Sequence, residues 1–381
     1  MNEFDFIRQL RGQASARKTS TRIVYGIGDD AAVLQQAPDR DLVISTDLLV
    51  EGIDFHRDAT PPRLLGHKAL AVSLSDIAAM AARPLWGLVS VGLPESAWAS
   101  DFKEELFRGY FALADRFGVT LTGGDISQSQ LIVIDSIVIG EVNRGRAIMR
   151  SSARPGDQIF VTGNLGGAAA GLKLIELGAR ISTDGSTGAS RQEADGRQQE
   201  SEPPPSEGGL SQQAADGGRQ RVSEPGAGAT PSGNEDAIQS LLLRQLAPES
   251  RVGWGIVLGE EHLATSMIDI SDGLSSDLHH LCDESKTGAI IDATQLPLDA
   301  SVKYLCGRRA LDPLALALHG GEDFELLFTV SPESVSRLPK RVDGVSISHI
   351  GEITNQHGGV RIREKGHEWD LPAKGFEHFS G

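Results

Sequence analysis

Residues 26–47 read GIGDDAAVLQQAPDRDLVISTD and carry two groups of oxygen-bearing side chains. The first group follows a Gly-Ile-Gly turn and the second comes directly after an apolar run; together they are Asp29, Asp30, Ser45, Thr46 and Asp47. We expect them to lie together where two strands end. Closely packed carboxylates repel one another unless they are protonated or bound to a cation, and a donor set made of oxygens alone favours Mg²⁺, Ca²⁺ or Mn²⁺ over zinc. The segment therefore predicts a site for divalent cations.

More acidic residues follow at positions where a strand ends or a helix is buried. The segment 61–84 predicts a helix, because it has proline at its start and Pro84 just after the expected helix end. The apolar spacing puts Asp76 on the buried face of this helix, where a carboxylate needs a partner. Asp125 comes after a Gly-Gly pair, and Asp269 and Asp272 lie at the end of a predicted strand. A single Asp at a strand end is more often a turn former or a helix cap than a ligand. Because so many recur, one site for several metal ions explains them better than separate structural roles.

The composition limits the classes of partner. The chain has 381 residues, with 36 Lys and Arg against 52 Asp and Glu and a net charge of −16, which argues against nucleic acid or an anionic membrane as the partner. An anionic ligand would then need metal ions between itself and the protein. No run of about 18 apolar residues predicts a membrane span, and Cys282 and Cys306 have no zinc-binding spacing, so we expect a cytoplasmic protein with reduced thiols.

Helical and strand patterns alternate along the chain, which predicts an α/β fold in two domains. We place the first domain at residues 1–146 and the second at 147–381. Between 182 and 237 the large apolar residues almost disappear, and Gly, Ser, Pro, Gln and acidic residues dominate. A segment of that composition cannot bury enough apolar surface to fold, so we expect a disordered insertion there.

Two glycine-rich segments match nucleotide-binding patterns without the chemistry that those patterns need. Gly26, Gly28 and Ala31 fit a dinucleotide pattern, but the two aspartates before Ala31 would face the pyrophosphate. Residues 166–171 have the spacing of a phosphate-binding loop, yet Leu172 stands where its lysine belongs. This segment is either a closely packed helix start or a loop whose amides meet a ligand, and packing is the better explanation.

Six segments, taken in order, resemble those of the thiamine-monophosphate kinases. They are GIGDDAAV (26–33), STDLLVEG (45–52), KALAVSLSDIAAM (68–80), GGD (123–125), IDISDGL (268–274) and HGGEDFELL (319–327). The resemblance implies the fold of the aminoimidazole-ribonucleotide synthetase superfamily, two α/β domains of the α+β sandwich type. The N-terminal sheet would form the interface of a homodimer, and the C-terminal domain would close the active site. The resemblance also implies direct in-line transfer of the ATP γ-phosphoryl group to thiamine monophosphate, with several Mg²⁺ ions.

The same resemblance implies roles for individual residues. The implied magnesium ligands are Asp30, Ser45, Thr46, Asp47, Asp76, Asp125, Asp269 and Asp272. The residues on which we expect catalysis to depend are Asp47, Asp76 and Asp272. The implied ATP contacts are Gly124, Asp125, Arg150 and Ser271. The implied contacts to thiamine phosphate are Glu322 and Phe376, with Asp54 and His56 as further candidates.

The chain departs from that family after its VEG motif. The family usually has histidine two residues after the glycine, where this chain has Asp54, and His56 follows two residues later. If the strand continues this far, alternation puts both side chains on one face, so His56 can replace the missing histidine.

Other functions stay open on the sequence alone. Within the superfamily the alternatives are selenophosphate synthetase, the hydrogenase-maturation dehydratase and the purine enzyme itself. A selenophosphate synthetase should carry a reactive Cys near the Gly-rich N-terminus, and a hydrogenase-maturation enzyme a C-terminal Cys. This chain has neither. A non-catalytic protein that binds divalent cations would also cluster aspartates, and magnesium-dependent binding of ATP separates such a protein from a kinase.

Overall fold

The structure, a computed structural model, describes residues 3–17, 22–25, 27, 32–181, 187–188, 233–309 and 311–376. Its helices are α1 (Glu3–Ala16), α2 (Pro62–Ala79), α3 (Glu95–Trp98), α4 (Phe102–Phe117), α5 (Gly167–Glu176), α6 (Asn234–Leu246), α7 (Val252–Glu260), α8 (Leu274–Ser285), α9 (Ala300–Arg309) and α10 (Pro313–His319). Its strands are β1 (Ile23–Tyr25), β2 (Val33–Leu34), β3 (Arg40–Val50), β4 (Arg83–Leu93), β5 (Thr120–Gln128), β6 (Val133–Asn143), β7 (Gln158–Thr162), β8 (Arg180–Ile181), β9 (Thr187–Gly188), β10 (Ser266–Asp269), β11 (Gly288–Asp292), β12 (Leu326–Val330), β13 (Arg341–Val342), β14 (Val345–Thr354), β15 (Val360–Glu364) and β16 (His367–Asp370). The mixture of helices and strands confirms the predicted α/β class.

Strands from residues 40–143 form a four-stranded sheet in the order β3-β6-β4-β5. β3 and β4 each pair antiparallel with β6, whereas β4 and β5 run parallel. Helices α2 and α4 pack with this sheet in one apolar core. Two glycines let the helix backbones touch, because a Cβ on Gly66 would lie 1.8 Å from Leu106 O and a Cβ on Gly109 would lie 1.8 Å from Arg63 O. This contact fixes α2, which carries Asp76, against the sheet.

Strands from residues 158–370 form a larger sheet in the order β10-β12-β7-β14-β11-β15-β16, with β13 paired to β14. The apolar side chains of α8 form a core with one face of this sheet. On the other face, Trp254 of α7 stacks on Phe328 of β12. α7 also meets α2 so closely that a Cβ on Gly255 would lie 2.2 Å from Ala78 O. α7 therefore joins the larger sheet to the helix that covers the smaller one.

Ser45, Thr46 and Asp47 lie in the middle of β3, so the prediction that they follow the end of a strand is wrong. β3 pairs with β6 along its whole length. Ser45 and Asp47 can occupy this position because alternation sends them to the face that α2 covers, whereas Thr46 points to the opposite face.

The chain turns directly after β3, so the predicted continuation of the strand to His56 is also wrong. Gly52 has a φ of 86°, and its amide donates to Phe55 O at 2.8 Å. Left-handed backbone of this kind suits glycine and reverses the chain. Strand alternation therefore does not relate Asp54 to His56.

The predicted insertion and the predicted domain boundary can be located only where the structure describes the chain. Asp29, Asp30 and most of the predicted insertion 182–237 lie outside the described residues. α6 begins at Asn234, so the last residues assigned to the insertion are helical. The boundary at residue 146, which stays a prediction, falls between the last strand of the smaller sheet and the first of the larger one. Within the described ranges, no helix is both long and apolar enough to cross a membrane.

Candidate active site

Asp47 of β3 and Asp76 of α2 lie together between the sheet and its covering helix. Asp76 is half-buried and accepts a hydrogen bond from Ser45 Oγ, the partner that its helix position demands. Burial and then the charge of Asp76 raise the pKa of Asp47 to about 6, while the hydroxyls of Ser73 and Ser45 oppose the rise. Asp47 Oδ2 is buried and makes no hydrogen bond to the described residues. This oxygen lacks the compensation that a buried charge needs.

A third carboxylate reaches this place from the larger sheet. Asp269, at the end of β10, is 2% exposed and accepts a hydrogen bond of 2.7 Å from Ser75 Oγ of α2. Burial and then the charge of Asp76 raise the pKa of Asp269 to about 7, whereas Arg150 lowers it. The structure thus joins Asp47, Asp76 and Asp269, which we call the acidic cluster.

Asp277 is another buried carboxylate, and it was not among the residues predicted from the sequence. It lies in the first turn of α8, and its Oδ2 accepts hydrogen bonds from the amides of Asp272 and Gly273, at 3.2 and 3.1 Å. Burial and then the charges of Asp269 and Asp272 raise the pKa of Asp277 to about 8. An acid three residues into a helix that follows glycine is the sequence signal that could have found it. Its bonds fix the loop that carries Ser271 and Asp272.

Thr46 and Asp125 lie on the opposite face of the smaller sheet, away from the acidic cluster. Thr46 Oγ1 donates to Asp135 Oδ1 at 2.6 Å. Asp125 is exposed on β5, and the pairing register aligns it, across β4, with Asp135 of β6. Gly124 has a φ of 149° and lies so close to β4 that a Cβ would meet a backbone oxygen at 1.9 Å. Within one chain, the implied magnesium ligands are therefore divided between two faces of the sheet.

The acidic cluster suits a divalent cation by its chemistry. Its donors are oxygens, and the charge of Asp76 contributes to the raised pKa values of Asp47 and Asp269. Among the described residues, no group of three or more His, Cys, Asp or Glu side chains is already arranged as a metal site. Asp30, another implied ligand, lies outside the described part of the chain. The unpartnered oxygen of Asp47 marks where a cation would relieve the repulsion.

Glu322 links the two halves of the molecule beside this site. Its backbone φ is 66°, and its amide donates to Ser271 O at 2.8 Å. Its carboxylate pairs with Lys68 Nζ of α2 at 2.7 Å, and Gln245 of α6 donates a further hydrogen bond. The Lys68 side chain is 2% exposed, so Glu322 supplies the partner that a buried ammonium group needs.

Arg150 and Phe376 are both exposed, and each is held through its backbone. The carbonyl of Arg150 accepts hydrogen bonds from Ser266 Oγ at 2.8 Å and Ser285 Oγ at 2.6 Å. The amide of Phe376 donates to Asp272 O at 3.3 Å. The structure thus brings Phe376 to the loop of Asp272.

Asp54 and His56, the other implied substrate contacts, have different surroundings. Asp54 Oδ2 accepts a hydrogen bond of 2.8 Å from Val50 N, so this carboxylate holds the turn after β3. His56 is exposed beside a surface cavity of about 690 Å³. The cavity is lined by Glu51, Gly52, His56, Arg57, Asp58 and Leu131. His56 is therefore better placed than Asp54 to meet a ligand.

A second group of buried acids has cations of its own. Glu325 accepts hydrogen bonds from Arg251 Nε at 2.5 Å, Arg251 Nη2 at 2.6 Å and Thr162 Oγ1 at 2.7 Å. Arg244 lies 3.3 Å from Glu325 and 3.9 Å from Asp323. Although burial opposes it, the two guanidinium groups hold the pKa of Glu325 below its usual value. We call Glu325 and Asp323 the paired acids.

Asp323 also decides how the Gly-rich start of α5 is used. Its carboxylate accepts hydrogen bonds from the amides of Gly166 and Ala168, at 2.6 and 3.1 Å. One turn later, a Cβ on Gly171 would lie 2.1 Å from a backbone oxygen of α6. The amides are occupied and the glycines admit a neighbouring helix, which supports the packing interpretation over a ligand loop.

Family comparisons agree with this architecture. The chain matches AIR synthase related protein, N-terminal domain, over residues 28–142, and AIR synthase related protein, C-terminal domain, over residues 232–363. These two domain matches place the chain in the class of AIR synthase-related proteins.

Relatives within that class are more specific. A thiamine-monophosphate kinase of Escherichia coli (strain K12) is 34% identical over 369 residues, which cover 96% of this chain and 94% of that protein. The crystal structure of thiamine-monophosphate kinase from Stenotrophomonas maltophilia K279a has a TM-score of 0.72 at 32% identity and covers 94% of this chain and 96% of its own. AaThiL complexed with AMPPCP and TMP has a TM-score of 0.68 at 28% identity and covers 99% and 97%. The chain belongs to the thiamine-monophosphate kinase family.

A hydrogenase maturation protein, HypE of E. coli, shares the fold at lower identity. Its TM-score is 0.64 at 16% identity, with 98% of this chain and 99% of that chain covered. Identity at this level indicates a common architecture and nothing about the reaction. The alternative within the superfamily is therefore the weaker one.

Proposed function

We propose that the protein transfers the γ-phosphoryl group of ATP to thiamine monophosphate, which yields thiamine diphosphate and ADP. The observation that carries the proposal is the acidic cluster, in which carboxylates from both halves of the molecule converge and the pKa values of Asp47 and Asp269 are raised. Two polyanionic substrates can meet on such a cluster only through cations. Relatives named thiamine-monophosphate kinases that align with nearly the whole chain, and AaThiL complexed with AMPPCP and TMP, support this choice of substrates.

Magnesium ions are the proposed occupants of the acidic cluster. Asp47, Asp76 and Asp269 would hold them together with Ser45, and Asp30 and Asp272 are further proposed ligands. Thr46 and Asp125, which lie on the opposite face of the smaller sheet, are proposed ligands for a magnesium ion on that face. Magnesium held by these residues would neutralise phosphate charge and offset the charge that develops during transfer. A protein with a net charge of −16 can accept ATP in this way.

The protein's own side chains position the reacting groups, and the reaction needs no catalytic base. Ser45 and Ser75 orient the carboxylates of Asp76 and Asp269 by hydrogen bonds. Asp277 fixes the loop of Asp272 through two backbone amides. No residue has to remove a proton, because a phosphomonoester is already largely ionised at pH 7. The expected reaction is a direct in-line transfer that depends on position and charge.

The substrate contacts are proposed on both sides of this centre. Gly124, Arg150 and Ser271 would contact ATP, and Glu322, Phe376 and His56 would contact thiamine monophosphate. Lys68 neutralises Glu322, so this carboxylate can lie near the acceptor phosphate with less repulsion. Asp54 contributes by shaping the turn that presents His56.

We also propose a homodimer formed by the outer face of the smaller sheet. Leu42, Ile44 and Leu48 of β3 are exposed by 38%, 64% and 57% on that face. Contiguous exposed apolar side chains of this kind mark an interface. Light scattering should report a dimer, and Ile44→Glu should yield a monomer, whereas a monomeric wild type would refute the proposal.

The cytoplasm is the proposed location. Cys282 and Cys306 are both buried and not joined in a disulfide. Unpaired thiols suit a reducing compartment.

The direct test of the activity is product formation. The purified protein is incubated with ATP, Mg²⁺ and thiamine monophosphate, and thiamine diphosphate is measured by chromatography. We expect product that depends on Mg²⁺ and on the acceptor phosphate, with none from thiamine. Magnesium-dependent ATP binding without thiamine diphosphate would favour a different member of the superfamily.

A further inference from the structure

The last described residues, 372–376, lie against the loop that carries Asp272, and we call them the tail. Phe376 N donates to Asp272 O at 3.3 Å. Gly375 lies closer still, because a Cβ there would meet Asp272 O at 2.7 Å and Ser276 Cβ at 2.8 Å. A residue with a side chain would have to lift the tail away from α8.

Ser275, in the first turn of α8, holds the tail through both backbone groups of one residue. Its Oγ donates to Lys374 O at 2.6 Å and accepts from Lys374 N at 3.3 Å. His319 Nδ1 lies 2.8 Å from the same oxygen. A hydroxyl has one proton to donate and two lone pairs that accept. Because Lys374 O receives the proton, His319 has to be a donor through Nδ1–H.

His319 fits this role as a neutral ring. Burial and then the charge of Lys374 lower the pKa of His319, so the ring carries one proton at pH 7. Ser275 is fully buried, and every hydrogen bond that its hydroxyl can make is used. A complete set of bonds to one residue specifies a single register of the tail, because a shift by one residue would break two of them.

We propose that Ser275 and His319 are positioning residues for the acceptor: they fix the tail, and through it the ring of Phe376, beside the Asp272 loop. The identity of the acceptor rests on the proposed function. Phe376 is 52% exposed, so its ring can stack with an aromatic ring of thiamine monophosphate. Ser275 and His319 act only through the tail and touch no substrate.

Kinetics of the full-length protein test the proposal from the helix side. Ser275→Ala should raise the KM for thiamine monophosphate about fivefold to thirtyfold, with the KM for ATP and the Mg²⁺ dependence unchanged. Ser276→Ala is the matched control, because among the described residues its hydroxyl pairs with His280, at 3.4 Å, and not with the tail, and its Cβ is kept. An equal loss in both variants, or a parallel rise of the KM for ATP, would overturn the proposal.

His319 offers a test of the donor itself. His319→Asn keeps an N–H near the position of Nδ1 and should restore most of the affinity for the acceptor, whereas His319→Gln places its amide one carbon further out and should behave like Ser275→Ala. Equal kinetics for the two variants would contradict a specific Nδ1–H donor.

Gly375→Ala tests the same contact from the tail, in case Ser275→Ala does not fold. The added methyl group should lift the tail and raise the KM for the acceptor, with little change in the unfolding free energy because the site is at the surface.

In a Phe376→Ala background, Ser275→Ala should not raise the KM for the acceptor further, because its effect acts through the ring of Phe376. Full additivity of the two changes would overturn the proposal.

Hydrogen exchange tests the positioning role of Ser275 without relying on the proposed kinase activity. The C-terminal peptide from residue 372 should exchange faster in Ser275→Ala than in the wild type and in Ser276→Ala, without any substrate present. Unchanged exchange would overturn the positioning role. If the wild type makes no thiamine diphosphate while exchange responds as expected, only the acceptor's identity is wrong.

Discussion

The acidic cluster and the paired acids are both made of buried carboxylates, yet their protonation differs. In the acidic cluster, burial and then the charge of Asp76 raise the pKa of Asp47 to about 6 and that of Asp269 to about 7. Among the paired acids, Arg251 and Arg244 hold the pKa of Glu325 below its usual value despite complete burial. Asp323 is intermediate: burial raises its pKa to about 6, although Arg244 and two amides oppose the rise.

The difference shows that burial alone does not identify a functional carboxylate. A buried acid with its own guanidinium groups completes the fold, and removing either partner leaves an uncompensated charge. A buried acid without such partners depends on a proton or on a cation from solution. We therefore propose that the paired acids stabilise the fold and that the acidic cluster binds cations.

The largest effect on stability is expected for Glu325→Gln. The variant leaves the buried Arg251 without its charge partner, so the unfolding free energy should fall by about 3 to 5 kcal/mol in urea denaturation. Glu176→Gln, which breaks an exposed pair with Lys173, is the control and should cost less than about 0.5 kcal/mol. A loss below about 1 kcal/mol for Glu325→Gln would show that this pair does not differ from a surface one.

Asp47→Asn should have the opposite profile. Phosphoryl transfer should fall by at least about a hundredfold, because a ligand charge is lost. The melting temperature should stay the same or rise, because carboxylate repulsion is relieved. Asp115→Asn, on the exposed surface of α4, should change neither quantity. Near-normal turnover in Asp47→Asn would remove this residue from the metal site.

The raised pKa values predict a pH dependence for the metal-free protein. Asp269 and Asp277 bind protons more tightly when folded than when unfolded, so the unfolding free energy should fall as pH rises from 6.5 to 8.5. Each group contributes at most about 1.4 kcal/mol per pH unit. The pKa values of His67 and His319 are lowered, so these residues increase the unfolding free energy as pH rises to about 6.5. Above that pH they contribute no further change.

Thermal melts in EDTA across this range test the pH dependence. Asp269→Asn should flatten the profile, and added Mg²⁺ should raise the melting temperature more at pH 8.5 than at pH 6.5. A wild-type profile that is flat from 6.5 to 8.5 would contradict the uncompensated state of these carboxylates.

The smallest effect is expected at the surface cavity. His56→Ala should raise the KM for thiamine monophosphate about fivefold, or about 1 kcal/mol, and leave the KM for ATP unchanged. Asp54→Asn keeps an oxygen that can accept the bond from Val50 N and should be silent. If Asp54→Asn is severe and His56→Ala is silent, the carboxylate itself contacts the substrate.

Local pattern was enough to predict the fold class and much of the acidic cluster. Helical spacing predicted α2 and the need of Asp76 for a partner, and the partner is Ser45, from the segment that opened the sequence analysis. The alternation of strand and helix patterns likewise predicted the α/β class. These features depend on neighbours within a few residues, which a single sequence contains.

Features that depend on long-range contact were not predictable in the same way. The pairing of β3 with β6 extends the strand through Ser45 and Asp47, although polar residues after an apolar run suggest an end. The buried pair of Lys68 and Glu322 joins residues that are far apart in the sequence. Asp277 was missed because an acid in a first helical turn is ordinarily a surface residue, and only the tertiary fold buries it.

The binding role of the acidic cluster is tested most directly by titrating Mg²⁺ into the metal-free protein at pH 7 in a calorimeter. Wild type, Asp47→Asn and Glu325→Gln are compared in two buffers of different ionisation enthalpy. We expect the wild type and folded Glu325→Gln to release protons when they bind magnesium, because carboxylates with raised pKa values must lose their protons. We expect Asp47→Asn to bind magnesium weakly or to bind fewer ions. Magnesium binding that is unchanged in Asp47→Asn, or that releases no protons, would contradict the assignment of the acidic cluster.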